Sequence, residues 1–146
     1  MEVCPMDIHS LSHTKYQCYF HVVFIPKRRR KVIYGQLRYD VKECIMKACK
    51  YKGVHIVKGA LCPDHVHLFL EIPPKMSVSE FMGYLKGKTA MILHDMHPEL
   101  LGRDRSFWAR GYYVETIVSV SESAIEKYIA EQENASMIEE RESRSF

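Results

Sequence analysis

The chain lacks the features of secreted, disulfide-stabilised and membrane-spanning proteins. Its longest apolar run lies around Val22–Ile25, far short of the roughly 20 residues that a transmembrane helix needs. Residues 1–15 show no charged start followed by an apolar stretch and a cleavage site. Five scattered cysteines without a Cys-x-x-Cys pair argue against a disulfide framework and against a zinc ribbon. We therefore expect a cytoplasmic protein with reduced thiols and no membrane partner.

Repeats, linkers and low-complexity segments are also missing. The 146 residues, 47% of them hydrophobic, are enough for one core of ordinary size. We predict a single domain over residues 1–146, with its core at about 15–133 and a charged tail at 134–146. One fold must then carry the whole function.

Charge is modest in total but uneven along the chain. A net charge of +3 does not by itself indicate a nucleic-acid partner. However, residues 27–31 form an unbroken run of five basic side chains, whereas acidic residues gather in 121–144. Such a run can lie along a phosphate backbone, or it can be an ordinary solvated loop. The sequence supports both interpretations.

Apolar periodicity and turn residues predict the order β-α-β-β-α-β followed by a final helix. Apolar residues at helical spacing lie between Gly35 and Gly53, and a Ser77-x-x-Glu80 capping box precedes a second helical segment. A final helix is expected at 121–133. Runs rich in β-branched and aromatic residues predict strands at 16–25, 54–61, 65–72 and 112–120. Cys62, Pro63 and Asp64 predict a tight antiparallel connection between the second and third of these strands. This order is typical of the ferredoxin-like, or RRM-like, α+β fold, which has a four-stranded antiparallel sheet.

Two pairs of polar residues have spacings that suit a shared site. His65 and His67 are two apart on a predicted strand, so both imidazoles point to one face and could bind one metal ion. Tyr128 and Gln132 are four apart on the final helix and share one of its faces. Each pair also has an ordinary explanation, because histidines decorate strands and a helical tyrosine is usually a packing residue. Spacing alone selects neither pair.

The joint pattern is more specific. The segment PDHVHL at 63–68, followed far downstream by YIAEQ at 128–132, resembles the single-tyrosine transposases of the IS200/IS605 insertion-sequence family, members of the HUH nuclease superfamily. The resemblance extends over about 15–133. It includes HVVF at 21–24, FWARGYY at 107–113 and the predicted order of elements.

This resemblance implies a function and a set of site residues. It implies that His65, His67 and Gln132 bind a divalent metal, Mg²⁺ or Mn²⁺, and that Tyr128 is the catalytic nucleophile. The expected activity is nicking and rejoining of single-stranded DNA at hairpin-marked ends through a 5′-phosphotyrosine intermediate. The expected assembly is a homodimer in which the tyrosine helix of one subunit completes the site of the other.

Other functions fit the same element order. A non-catalytic RNA- or DNA-binding module would need exposed aromatics where His65 and His67 stand. A domesticated transposase that only binds hairpins, or a host relative acting on repeated palindromes, would carry the same motifs. Candidates for DNA contacts are Trp108 and Tyr112 for stacking, and Lys27 to Lys31, Lys86, Lys88, Arg103, Arg105 and Arg110 for the backbone. Each of them could equally be a surface or a core residue. His21 and His55 show no pairing logic in the sequence.

Overall fold

The computed structural model describes residues 9–11, 14–101 and 106–117. The strands are β1 (His9–Leu11), β2 (Thr14–Tyr16), β3 (Tyr19–Phe24), β4 (His55–Cys62), β5 (His65–Glu71) and β6 (Tyr113–Ile117), and the helices are α1 (Gly35–Tyr51), α2 (Val78–Met96) and α3 (Pro98–Leu101). Tyr128, Gln132, the final helix and the charged tail of the sequence prediction lie outside the described residues.

Strands β3 to β6 form one antiparallel sheet in the order β4-β5-β3-β6. The central strand β5 pairs with β3 so that His67 lies opposite Val23, and β3 pairs with β6 so that His21 lies opposite Glu115. Strands β4 and β5 are joined through the two residues Pro63 and Asp64, as their turn chemistry predicts. The predicted α+β fold with a four-stranded antiparallel sheet is confirmed.

The first predicted strand is divided in the structure. Residues 16–25 were expected to form one strand, but Gln17 and Cys18 interrupt it, and Tyr16 belongs instead to β2. Strand β2 pairs with β1 in a separate two-stranded ribbon. Strands of three residues are too short to show the alternation of polar and apolar residues on which sequence prediction relies.

Helix α2 begins at its predicted capping box, and helix α1 ends just before its predicted terminal glycine. The Ser77 hydroxyl accepts a hydrogen bond of 3.1 Å from the backbone N–H of Glu80, which caps the first turn of α2. Helix α1 ends before Gly53, whose φ of +69° is the left-handed conformation that glycine adopts without steric cost. Among the described residues, no helix is long and apolar enough to cross a membrane.

The two faces of the sheet bury different kinds of side chain. One face packs with α1 and α2 in the main core, to which it contributes Val22, Phe24, Val66, Leu68 and Leu70. The opposite face carries four buried polar residues, and we call it the histidine face: His21, His65, His67 and Glu71. Every residue of β5 is buried, so this strand is covered on both sides. The histidine face therefore places buried polar side chains on the two central strands of the sheet.

Candidate metal centre

His65 is the first residue of β5, and its neighbours hold its ring in place. Its Nδ1 donates a hydrogen bond of 2.6 Å to Asp64 Oδ1. The other oxygen of Asp64 accepts a hydrogen bond of 3.1 Å from Arg29 Nε. Because the carboxylate can only accept, the proton of a neutral His65 is placed on Nδ1, and the lone pair remains on Nε2.

The ionised form of Asp64 is favoured in this arrangement. Burial raises the pKa of the carboxyl group, but the hydrogen bonds and electrostatic attraction from His65 and Arg29 outweigh burial and leave the pKa below its usual value. The preceding residue is fixed as well, since the carbonyl of Pro63 accepts hydrogen bonds of 3.0 Å from the backbone N–H groups of Val32 and Ile33. The turn before His65 is thus held by both of its residues.

His67 lies beside His65 on the same face. The two ring centroids are 4.7 Å apart and the ring planes are nearly perpendicular, at 83°. Each residue is only 6% exposed. Burial, together with the nearby His65 and His21, lowers the pKa of His67 to about 4. At neutral pH its imidazole is therefore uncharged, which is the form that binds metal ions.

One nitrogen of His67 has no partner within the described part of the chain. Its Nδ1 lies 3.2 Å from His21 Nε2, but its buried Nε2 makes no hydrogen bond to any described residue. Buried polar atoms in native proteins are almost always satisfied, so such an atom indicates a ligand or another group at that position. A divalent cation fits this requirement, since imidazole nitrogen is a common metal ligand.

The described residues do not complete a metal site by themselves. No group of three or more His, Cys, Asp or Glu side chains suited to a metal occurs within residues 9–11, 14–101 and 106–117. The predicted third ligand, Gln132, and the predicted nucleophile, Tyr128, lie outside these ranges. The roles of His65, His67, Gln132 and Tyr128 therefore remain predictions.

Sequence reasoning missed His21. This residue is on β3, its ring stacks on Phe69 with centroids 4.6 Å apart, and it contacts His67 across the strand pair. The only available signal was the HVVF segment that contributed to the family resemblance. The pairing of β3 with β5 determines which histidines meet, and that register is not visible in either strand alone.

The basic run lies next to this site. Lys27–Arg29 form a short 3-10 turn in which Arg28 and Arg29 have positive φ angles of 60° and 51°. Lys27 Nζ donates a hydrogen bond of 3.0 Å to Ser106 Oγ, and Arg29 contacts Asp64 as described. The side chains of residues 28–31 are exposed. A phosphate bound by this exposed run would lie close to the two histidines.

Two other candidates for DNA contact have structural roles in the described region. Trp108 is 6% exposed, packs against Phe24 and Phe107, and donates from its indole nitrogen to Thr89 Oγ1 at 2.8 Å. Of the alternatives that the sequence left open for Trp108, the structure shows the core position. Lys86 Nζ donates to the carbonyl oxygens of residues 109 and 111 and anchors the segment that leads into β6.

Comparison with known families identifies the class of this protein. Residues 14–132 match the family model described as "Transposase IS200 like". The chain belongs to this family of DNA transposition proteins.

Individual relatives agree with the family assignment. The chain is 48% identical over 128 residues to the transposase for insertion sequence element IS200 of Salmonella typhimurium, which covers 86% of this chain and 84% of the relative. It is 25% identical over 132 residues to the ISDra2 transposase of Deinococcus radiodurans, which covers 89% of this chain and 94% of that one.

Two solved structures share the fold. A crystal structure of a putative transposase from Deinococcus radiodurans superimposes with a TM-score of 0.70 at 24% identity and covers 86% of this chain and 98% of its own. The structure of a REP-associated tyrosine transposase bound to a REP hairpin gives a TM-score of 0.53 at 17% identity, with coverage of 79% and 64%.

Proposed function

We propose that this transposase cuts and rejoins single-stranded DNA at hairpin-marked ends by a metal-assisted tyrosine mechanism. The observation that carries the proposal is the pair of adjacent, buried imidazoles of His65 and His67, one of which has a buried nitrogen without a partner in the described region. Family membership supplies the DNA reaction to which such a site would contribute.

The metal would be Mg²⁺ or Mn²⁺, bound by His65, His67 and the amide oxygen of Gln132. When bound, it would supply positive charge that polarises the scissile phosphate and offsets charge in the transition state. Asp64 contributes indirectly, since its carboxylate orients the ring of His65. Two nitrogens and one amide oxygen leave coordination positions open for phosphate oxygens and water.

The nucleophile would be the phenol oxygen of Tyr128. As the phenol gives up its proton and its oxygen attacks phosphorus, a phosphotyrosine bond forms to the 5′ end of the downstream strand. The bond from phosphorus to O3′ of the upstream strand breaks, and that leaving oxygen takes a proton. A 3′-hydroxyl can later attack the same phosphorus and release the tyrosine. One phosphate ester replaces another in each step, so no nucleotide triphosphate is needed.

The DNA would be single-stranded, with hairpins at the ends of the element. Support comes from the exposed basic run at 28–31 beside the two histidines, and from the REP-associated transposase of the same fold that was solved bound to a hairpin. Phosphate contacts by such a run would make binding fall steeply with salt concentration.

The active assembly would be a homodimer. Strand β6 is an edge strand, with both Tyr113 and Val114 exposed, and an exposed apolar edge is normally covered by another chain or element. Pairing of β6 with its copy would give a closed two-fold interface. The tyrosine helix of one subunit would then complete the site of the other.

The decisive experiment is a test for a covalent protein–DNA adduct. The full chain is incubated with Mn²⁺ or Mg²⁺ and single-stranded oligonucleotides that carry the hairpin ends of the element, and adducts are resolved by denaturing electrophoresis. The adduct should form with the wild type and with Tyr39→Phe, an exposed tyrosine of α1, but not with Tyr128→Phe or with EDTA. Hairpin binding without an adduct would indicate a non-catalytic binding protein instead.

A complementation experiment tests the shared site. His65→Ala and Tyr128→Phe proteins are each inactive under the proposal, but mixed dimers would contain one intact site if the tyrosine acts on the partner's metal. Cleavage should therefore return after subunit exchange. Verified mixed dimers without cleavage would show that each chain builds its own site.

A further inference from the structure

Three side chains from three neighbouring strands form a continuous row behind the candidate metal centre. Glu115 on β6 lies directly opposite His21 on β3, and its Oε2 is 4.0 Å from His21 Nδ1. The other nitrogen of His21, Nε2, is 3.2 Å from His67 Nδ1. The row ends at the buried Nε2 of His67 on β5.

The proton positions along this row depend on one another. For His67 to present a lone pair on Nε2, its proton must be on Nδ1, from which it is donated to His21 Nε2. His21 must then be the acceptor there and carry its own proton on Nδ1, which is the nitrogen nearest to the Glu115 carboxylate. A nearby carboxylate stabilises a proton at that position.

We propose that His21, supported by Glu115, is a positioning residue that fixes His67 in the tautomer whose Nε2 faces the metal site. The inference rests on the proposed function for the presence of a metal, but the tautomer itself does not require one. His67 thus receives from an imidazole the support that His65 receives from the carboxylate of Asp64.

Packing alone does not account for a histidine at position 21. The side chain is only 2% exposed and stacks face to face on Phe69. An apolar ring would fill this space without burying two polar nitrogens, and burial of polar groups costs free energy. The imidazole instead places an acceptor, Nε2, 3.2 Å from His67 Nδ1, and the planes of the two rings are parallel within 4°.

Nuclear magnetic resonance can read the tautomers without metal or DNA. In protein labelled with ¹⁵N-histidine and treated with EDTA, long-range ¹H–¹⁵N correlations at pH 7.5 should show protons on Nδ1 of both His21 and His67. In His21→Phe, which keeps the stacking on Phe69, His67 should change to the Nε2-protonated form that imidazole prefers in water. The control His94→Phe, on α2, should leave His67 unchanged.

Metal binding gives a second readout that is independent of cleavage. Mn²⁺ titrations followed by electron paramagnetic resonance should show about 10- to 100-fold weaker binding for His21→Phe, the range typical for loss of a group that supports a metal ligand. His21→Gln should recover most of the affinity, because its amide oxygen can accept from His67 Nδ1. Glu115→Gln, at a position 49% exposed, should lose less than tenfold.

The outcomes separate this inference from the proposed function. The inference is overturned if wild-type His67 carries its proton on Nε2, or if His21→Phe leaves both tautomer and Mn²⁺ affinity unchanged. Expected tautomers in a wild type that binds no Mn²⁺ would refute the metal centre and support the positioning of His67 by His21. If His21→Phe does not fold, His21→Gln still tests the inference: His67 should keep its proton on Nδ1 and most of its Mn²⁺ affinity, and loss of both in this variant would overturn it.

Discussion

The two faces of the sheet are formed by the same strands but bury side chains of opposite polarity. On β5, Leu68 and Leu70 enter the apolar core beneath the helices, whereas His65 and His67 alternate with them on the other side. The apolar face gains free energy by removing surface from water. Burying the polar rings of the histidine face costs part of that free energy. This cost is consistent with the functional role proposed for those rings. The contrast assigns stability to one face of the strand and the proposed function to the other.

The largest effects are expected when one residue on each face is replaced by alanine. Leu70→Ala should lower the free energy of unfolding by about 2–5 kcal/mol, because it leaves a cavity in the main core. His67→Ala should lower it less, but should reduce adduct formation to the level of Tyr128→Phe. Urea denaturation in EDTA and the adduct assay at low temperature measure the two effects. The division of roles is contradicted if Leu70→Ala, while folded, loses activity as completely as His67→Ala.

Acid should act on the histidine face selectively. The pKa of His67 is about 4 in the folded protein and 6.5 in an unperturbed chain, so the unfolded state takes up this proton first as pH falls. The stability present above pH 6.5 is lost between pH 6.5 and about 4. Burial is the main cause of this low pKa, and His65 and His21, which face the ring, contribute to it.

The expected loss for metal-free protein is about 2 kcal/mol between pH 7 and pH 5. Urea denaturation at the two pH values measures it. The dependence should be shallower in His67→Phe, and an equally steep curve in that variant would show that other groups are responsible.

The apolar face contains one polar bond whose loss should have a smaller effect. Thr89→Val removes the acceptor of the Trp108 indole N–H, which is buried against α2. The cost should be about 1.5 kcal/mol, as expected for a buried donor left without a partner. Thermal unfolding measures this loss, while Mn²⁺ affinity should stay at the wild-type value. A change in affinity would mean that the two faces are coupled through the segment at 106–110.

The smallest effect is expected away from both faces. Ser77→Ala removes the cap of α2 and should cost about 1 kcal/mol in the free energy of unfolding. Neither the His67 tautomer nor metal binding should respond. Ser77→Asp, which keeps a capping oxygen, serves as the matched control and should retain most of the stability.

Much of the fold could be predicted because its turns, helix ends and strand faces depend on residues that are close together in the sequence. Gly53, the Ser77 cap and the Pro63-Asp64 turn each act through backbone chemistry within a few residues, so their effects are visible in sequence. The common face of His65 and His67 follows from strand periodicity alone. The short β1–β2 ribbon offered too few residues for such a pattern.

The surroundings of the two histidines could not be predicted in the same way. His21 meets His67 only through the register of β3 and β5, and Arg29 meets Asp64 across 35 positions of sequence. Trp108 could be a base-stacking residue or a core residue until its contact with Thr89 was known. Such choices depend on tertiary pairing, which amino-acid composition and local spacing do not encode.

The turn before His65 has a thermodynamic consequence. Its two residues are held by Val32, Ile33 and Arg29, so the backbone that carries the imidazole is already ordered. A ligand on a loose hairpin tip would lose conformational entropy whenever a cation binds, and the measured affinity would fall by that amount. Here that entropy is lost once, during folding. Under the proposed function, successive metal ions and DNA strands would meet the same rigid imidazole without a further ordering cost.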